Sequence, residues 1–257
     1  MKRTKLSALP QGIPAEFDGL LRGADIYDSS CSPEARVIFI DRDGGYFLKS
    51  STAGSLEKEA MMGRYFHSKG LGAEVLSYVS GERDWLLTAK VAGEDATTAC
   101  YLAEPRRLAE LSGRLLRELH SLDGSDCPVQ NRMTDYVATA EKNYRSGQFD
   151  LSYGSFSSAD EAWGVLSEGR GLLKNDTLLH GDYCLPNFML DDWRFSGFID
   201  LGNGGVGDRH VDVFWGIWTL EFNLKTNQYR DVFIDAYGRD RIDEDILRII
   251  SAAEVFG

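Results

Sequence analysis

Paired cysteines, long apolar runs and an excess of positive charge are all missing from this chain, and each absence narrows what it can be. The four cysteines (Cys31, Cys100, Cys127, Cys184) show no C-x-x-C spacing, which suggests no zinc site and predicts reduced thiols in a cytoplasmic protein. No apolar run approaches the length that spans a bilayer, and the basic start Met1-Lys2-Arg3-Thr4-Lys5 leads into no apolar leader, so a soluble, intracellular chain is expected. With 28 Lys and Arg against 40 Asp and Glu, the net charge of -12 disfavours nucleic acid and anionic membrane as partners and favours a small cationic one. Internal repeats, low-complexity tracts and heptads are absent as well, and no obligate protein partner is evident. What remains is an ordinary globular composition: 257 residues, 43% hydrophobic, enough for one large domain or two small ones.

The informative stretch runs from His180 to Asp200. His180-Gly181-Asp182 is followed by Asn187, and the five-residue step from Asp182 to Asn187 is that of a kinase catalytic loop, where the Asp orients the attacking hydroxyl and the Asn holds magnesium. Asp200 closes the apolar run from Phe195 to Ile199, which reads as a short buried strand, so its carboxylate emerges at a strand end as a second metal ligand. Mg²⁺ takes hard oxygen donors, few of them from protein, and one carboxylate plus one amide oxygen suits that. Singly, each of these residues is accounted for as turn chemistry. Together, five specified letters at roughly one in twenty each recur by chance in about one in ten thousand such chains.

The rest of the chain supports a nucleotide site. Ala35 to Asp41 and Gly45 to Ser50 read as a hairpin, with Lys49 at the end of its second strand. Residues 55 to 69 read as a helix whose stripe of Leu56, Glu59, Ala60, Gly63, Phe66 and His67 carries Glu59 on the inner face and leaves Glu57 outside; Glu59 can then pair with Lys49, as phosphate-positioning Lys and Glu do in kinases. Ala73 to Ser80 and Asp84 to Ala89 extend a small antiparallel sheet, and the sequence turns helical after Gly93. Helices are expected from Glu104 to a structural His120, over 133 to 146, over 158 to 170, from an Asp208 N-cap through Trp218, and near 226 to 238 and 243 to 256. Thr177 to Leu179 reads as a strand. The Gly202 to Gly207 run lacks the Gly-Lys-Ser/Thr ending of a phosphate loop and is read as a turn. The architecture expected is α+β and bilobal, an antiparallel-sheet lobe over residues 1–92 and a larger, mainly helical lobe over 93–257, with ATP in the cleft.

His-Gly-Asp-x-x-x-x-Asn followed by Gly-Phe-Ile-Asp-x-Gly resembles the aminoglycoside phosphotransferases, particularly the 3'-phosphotransferases, which are similar in fold to protein kinases. Ser32-Pro33, Phe47-Leu48-Lys49, Asp84-Trp85-Leu86-Leu87, Leu119-His120-Ser121-Leu122, Asp126-Cys127-Pro128 and Gly207-Asp208-Arg209 extend the resemblance in order along the chain. The resemblance implies an ATP- and Mg²⁺-dependent enzyme phosphorylating a hydroxyl of a small cationic antibiotic. It implies Ser32 at the phosphates, backbone groups of Ala89 and Val91 at the adenine, and an acceptor pocket including Asp150, Glu254 and Phe256. The chain departs from the family's pattern at Ala253, where relatives carry Asp, at Asn203, where they carry Arg, and at an added Gly257, so a narrower or shifted acceptor range is expected. Two other readings are a metabolite kinase acting on an amino alcohol or sugar, and a nucleotide-binding regulator without catalysis; the intact set Lys49, Glu59, Asp182, Asn187 and Asp200 argues against the regulator.

Overall fold

A computed structural model describes residues 3–31 and 35–257, so Ser32 lies outside the described residues. The chain falls into two compact units, one running to Thr98 and including Pro186–Asn203, the other made of Ala99–Leu185 and Gly204–Gly257.

The first unit opens with two strands that the sequence does not advertise, β1 (Thr4–Lys5) and β2 (Asp25–Asp28), too short for an alternating pattern to show. The expected hairpin follows as β3 (Arg36–Asp41) and β4 (Tyr46–Thr52), then helix α1 (Glu57–Ser68) and strands β5 (Val75–Ser80) and β6 (Arg83–Ala89). All six strands form one antiparallel sheet in the order β1-β2-β3-β4-β6-β5. Because side chains alternate along a strand, Leu48 and Leu87 enter one core with Phe17, Ile38 and Trp85, while their neighbours Lys49 and Leu86 face the other side, where α1 lies. Buried Asp84 holds that helix: its carboxylate accepts the Leu56 N–H at 2.9 Å, the Tyr78 hydroxyl at 3.0 Å and the Ser80 hydroxyl at 2.7 Å. His67, placed on the inner stripe by periodicity, is exposed in the last turn, where its ring meets the Gly72 carbonyl at 3.2 Å.

After Gly93 comes a two-residue strand, β7 (Glu94–Asp95), and then the second unit: α2 (Pro105–Leu119), α3 (Arg132–Ser146), α4 (Ala159–Gly169) and strand β8 (Thr177–Leu179). The chain next returns to the first unit as the hairpin β9 (Phe188–Asp191) and β10 (Arg194–Phe198). This differs from a single boundary at residue 92, and the reason is pairing: β9 joins β7, the Phe198 N–H donates to the Leu71 carbonyl at 2.7 Å, and Phe198 meets the Phe66 ring edge-on. Gly93 is required there, since a Cβ would lie 2.1 Å from the Leu190 carbonyl oxygen. The chain ends in the second unit with β11 (Gly205–Gly207), which turns the expected glycine-rich turn into a strand partner of β8, and with α5 (His210–Leu224), α6 (Arg230–Tyr237) and α7 (Glu244–Glu254). Asp208 stands one residue before the N-cap, Arg209, yet still accepts the His210 N–H at 3.1 Å. Among the described residues no helix is long and apolar enough to cross a membrane.

Candidate functional site

The first unit holds a cavity between its large sheet and the β9–β10 hairpin, with Val37, Phe47, Val75 and Leu86 on one side and Met189 and Phe198 on the other. Lys49, Glu59, Asn187 and Asp200 give it a polar end. The Lys49 Nζ donates to Glu59 Oε2 at 2.8 Å and to Asp200 Oδ1 at 2.7 Å, so the expected Lys–Glu pair is joined by a second carboxylate. Lys49 and Glu59 are nearly buried, with side chains 20% and 14% exposed, while Asp200 is 50% exposed. Burial alone would pull Lys49 down, but Glu59 and Asp200 hold its ammonium above the ordinary lysine value. Asp200 adopts a left-handed backbone (φ 60°), which Asp tolerates better than most residues, at the turn that follows β10. Asn187 lies across the same hairpin, its carbonyl accepting the Ile199 N–H at 2.9 Å.

Ala89 and Val91 both line this cavity. The Ala89 N–H is already donated to the Glu74 carbonyl at 2.9 Å.

Asp182 belongs to the second unit, on a loop pinned at both ends. Strand β8 delivers His180 and Gly181, whose N–H groups donate to the two oxygens of Asp212 at 2.8 and 2.7 Å. Gly181 takes a positive φ of 84°, which lets successive amides converge on one carboxylate. His120 secures Asp212 from behind with a 3.1 Å contact from Nε2, while its Nδ1 meets the Tyr237 hydroxyl at 2.9 Å. Burial holds His120 below its ordinary value, so it serves as a neutral structural ring, as its position in the sequence suggests. Downstream, the Tyr183 hydroxyl donates to the Ser112 carbonyl at 2.8 Å and the Leu185 N–H to Thr219 Oγ1 at 3.1 Å. Asp182 itself is half-buried. Sequence reasoning passed over Asp212 and Asp84; the signal available was a lone carboxylate in an apolar run, Val211-Asp212-Val213 or Asp84-Trp85-Leu86.

The expected acceptor residues fare unequally. Asp150 is exposed and caps the Ser152 N–H at 2.9 Å, and its own N–H donates to the Val255 carbonyl at 2.8 Å. Glu254 is buried at 5% exposure, its Oε1 accepting the Tyr136 hydroxyl at 2.7 Å and the Trp215 Nε1 at 3.1 Å. Burial, with the nearby charge of Asp182 adding to it, pushes the Glu254 carboxyl from 4.5 up to about 7. Phe256 is 1% exposed, its ring edge-on to Tyr144 and Trp163. Ala253 is buried as well, at 1%.

A nearly buried Lys–Glu pair between an antiparallel sheet and its helix, with a separate helical unit that carries an anchored His-Gly-Asp loop, defines a phosphotransferase of α+β, protein-kinase-like fold. More particularly, residues 32–248 match the phosphotransferase enzyme family, to whose aminoglycoside phosphotransferase branch the chain belongs. It is 48% identical over 249 residues to a probable aminoglycoside 3'-phosphotransferase of Lactococcus lactis, covering 95% of each chain. Among solved structures it resembles an aminoglycoside-3'-phosphotransferase of type VIII, with a TM-score of 0.74, 24% identity and coverage of 95% of this chain and 100% of that one. A Streptomyces rimosus aminoglycoside phosphotransferase, solved in complex with ADP and streptomycin, shares the fold with a TM-score of 0.70 and 23% identity over 86% of this chain and 90% of that one.

Proposed function

We propose that this enzyme transfers the γ-phosphoryl group of ATP to a hydroxyl of an aminoglycoside and so confers resistance to that antibiotic, acting in the cytoplasm. The observation that carries the reading is the Lys49 ammonium held between Glu59 and Asp200 in the cavity of the sheet-containing unit. Lys49 steadies the nucleotide phosphates and Glu59 keeps it in place. The Ala89 carbonyl and the Val91 amide face the base, within a nucleotide-binding unit that runs to Thr98 and takes in Pro186–Asn203; the other unit supplies Asp182 and the acceptor pocket. The Asn187 amide oxygen and the half-exposed Asp200 carboxylate form a hard-oxygen donor pair that fits Mg²⁺, which uses few protein ligands and completes its shell with water and phosphate. Held by these two residues, Mg²⁺ would supply positive charge to the phosphate oxygens. Asp182 accepts a hydrogen bond from the attacking hydroxyl and aims it, taking the proton late because a carboxylate is a weak base. Asp150, exposed on its loop, supplies negative charge for a cationic acceptor, while Glu254, buried against Tyr136 and Trp215, shapes the pocket from within.

The test is a coupled ADP-release assay over kanamycin, ethanolamine and glucose, with NMR of the phosphorylated product. Kanamycin turnover is expected, and Asp182→Ala should lower kcat about 10²-fold or more with the KM for ATP nearly unchanged. Turnover confined to glucose would overturn the antibiotic reading and leave a sugar kinase; full activity in Asp182→Ala would remove that residue from the chemistry.

A further inference from the structure

The second unit contains an aromatic stack that the chemistry above does not use. Phe222 and Trp218 on α5 lie face to face, with centroids 4.8 Å apart and planes 11° from parallel; Trp218 meets Tyr153 at 5.6 Å, and Trp215 meets Tyr153 at 5.6 Å with planes 67° apart. The outer end is closed by Lys225, whose Nζ sits 4.1 Å from the Phe222 centroid. The inner end is the half-buried ring of Tyr153, on a loop tied down by the hydrogen bond from Asp150 to Val255 and by the Ser251 hydroxyl donating to the Tyr153 carbonyl at 3.1 Å. Around that phenol the charges converge: after burial, the fields of Asp150, Glu254, Cys184 and Asp182 all raise it above the ordinary tyrosine value. Contacts tie the ring to the acceptor residues read from the sequence: Trp215, which meets it, donates to Glu254 at 3.1 Å, and Asp150 caps the turn that carries it.

We propose that the ring of Tyr153, backed by Trp215 and Trp218, is the wall on which the acceptor's amino-sugar ring lies, and that Tyr153 selects acceptors bearing an ammonium group. This rests on the aminoglycoside reading and deepens it. Two forces act on one face. The C–H side of a sugar ring buries apolar area against the aromatic plane, and an ammonium on that ring is drawn to its π face. With Ala253 in the core and Glu254 committed to Tyr136 and Trp215, this unit has fewer carboxylates free to hold a polycation by charge alone, and a rigid aromatic face takes over part of that task.

Steady-state kinetics with kanamycin and ATP test it. In Tyr153→Ala the KM for kanamycin should rise about tenfold with kcat changed far less. Tyr153→Phe should restore most of the loss, whereas Tyr153→Leu, with bulk but no π face, should not; melting curves confirm that each variant is folded. Equal KM values in Tyr153→Ala and an active parent overturn the wall. Restoration by Leu as well as by Phe overturns the ammonium selection and reduces Tyr153 to packing. A parent that fails to phosphorylate kanamycin or any other amino sugar overturns the aminoglycoside reading on which the wall rests, an outcome read from the parent alone.

Discussion

Glu254 shows what one residue's surroundings do to its chemistry. A carboxyl buried beside aromatic side chains loses hydration, and two donors on a single oxygen do not restore it, so its charged form is disfavoured up to a pH of about 7. The sign for stability follows from proton counting. Between 4.5 and about 7 the folded protein binds more protons at this site than the unfolded chain, so its contribution to stability falls as pH rises through that window and then levels off. The difference amounts to about 3 kcal/mol at most. Urea unfolding followed by tryptophan fluorescence at pH 5 and pH 8 should therefore show a larger loss in the parent than in Glu254→Gln, where the shared background of other titrating groups cancels. Equal losses in the two proteins would mean that Glu254 titrates at an ordinary value.

At the scale of elements, helix-on-helix contact carries the second unit. Gly113, on the inner face of α2, lies so close to α6 that a Cβ would fall 2.4 Å from the Phe233 carbonyl oxygen and 2.8 Å from the Ala236 Cβ. The obstacle is mainly backbone, which cannot swing aside as a flexible side chain would. Overpacking of this kind costs about 1 to 3 kcal/mol, against a gain of about 1 kcal/mol in helix propensity for alanine. Gly113→Ala should accordingly lower stability by up to about 2 kcal/mol, seen as a drop of up to a few degrees in Tm by calorimetry. A rise in Tm would show that the two helices can separate freely. The neighbouring Ser112 carbonyl accepts the Tyr183 hydroxyl, so α2 also helps to place the Asp182 loop.

At the scale of the whole molecule, the net charge of -12 sets a long-range field that concentrates cations near the surface. Screening removes such a field over a length of about 10 Å at 0.1 M salt and about 3 Å at 1 M. Raising salt from about 0.05 to 0.5 M should raise the KM for kanamycin several-fold while leaving the KM for a neutral acceptor nearly constant. Parallel behaviour of the two would detach acceptor binding from the charge of the chain.

Local sequence determined the β3–β4 hairpin, the helix that carries Glu59 and the β9–β10 hairpin, because each is built from contacts among near neighbours and leaves a period of two or 3.6 in the chain. It also brought the catalytic-loop letters from His180 to Asn187 into view, since their spacing is local. Other features required partners far away in the chain, and no periodicity records those. Asp200 meets Lys49 from 151 residues away, and Asp212 gathers the amides of His180 and Gly181 from about 30 residues away. The same holds for Glu254, read in the sequence as a carboxylate facing the acceptor: Tyr136, 118 residues earlier, helps to bury it. Residues 186–203 join the first unit because β9 pairs with β7, a strand far earlier in the chain. Which carboxylates are present was therefore legible in the sequence; which are buried, paired or open to a ligand was decided by tertiary structure, because desolvation and hydrogen-bond satisfaction depend on what folds around a group.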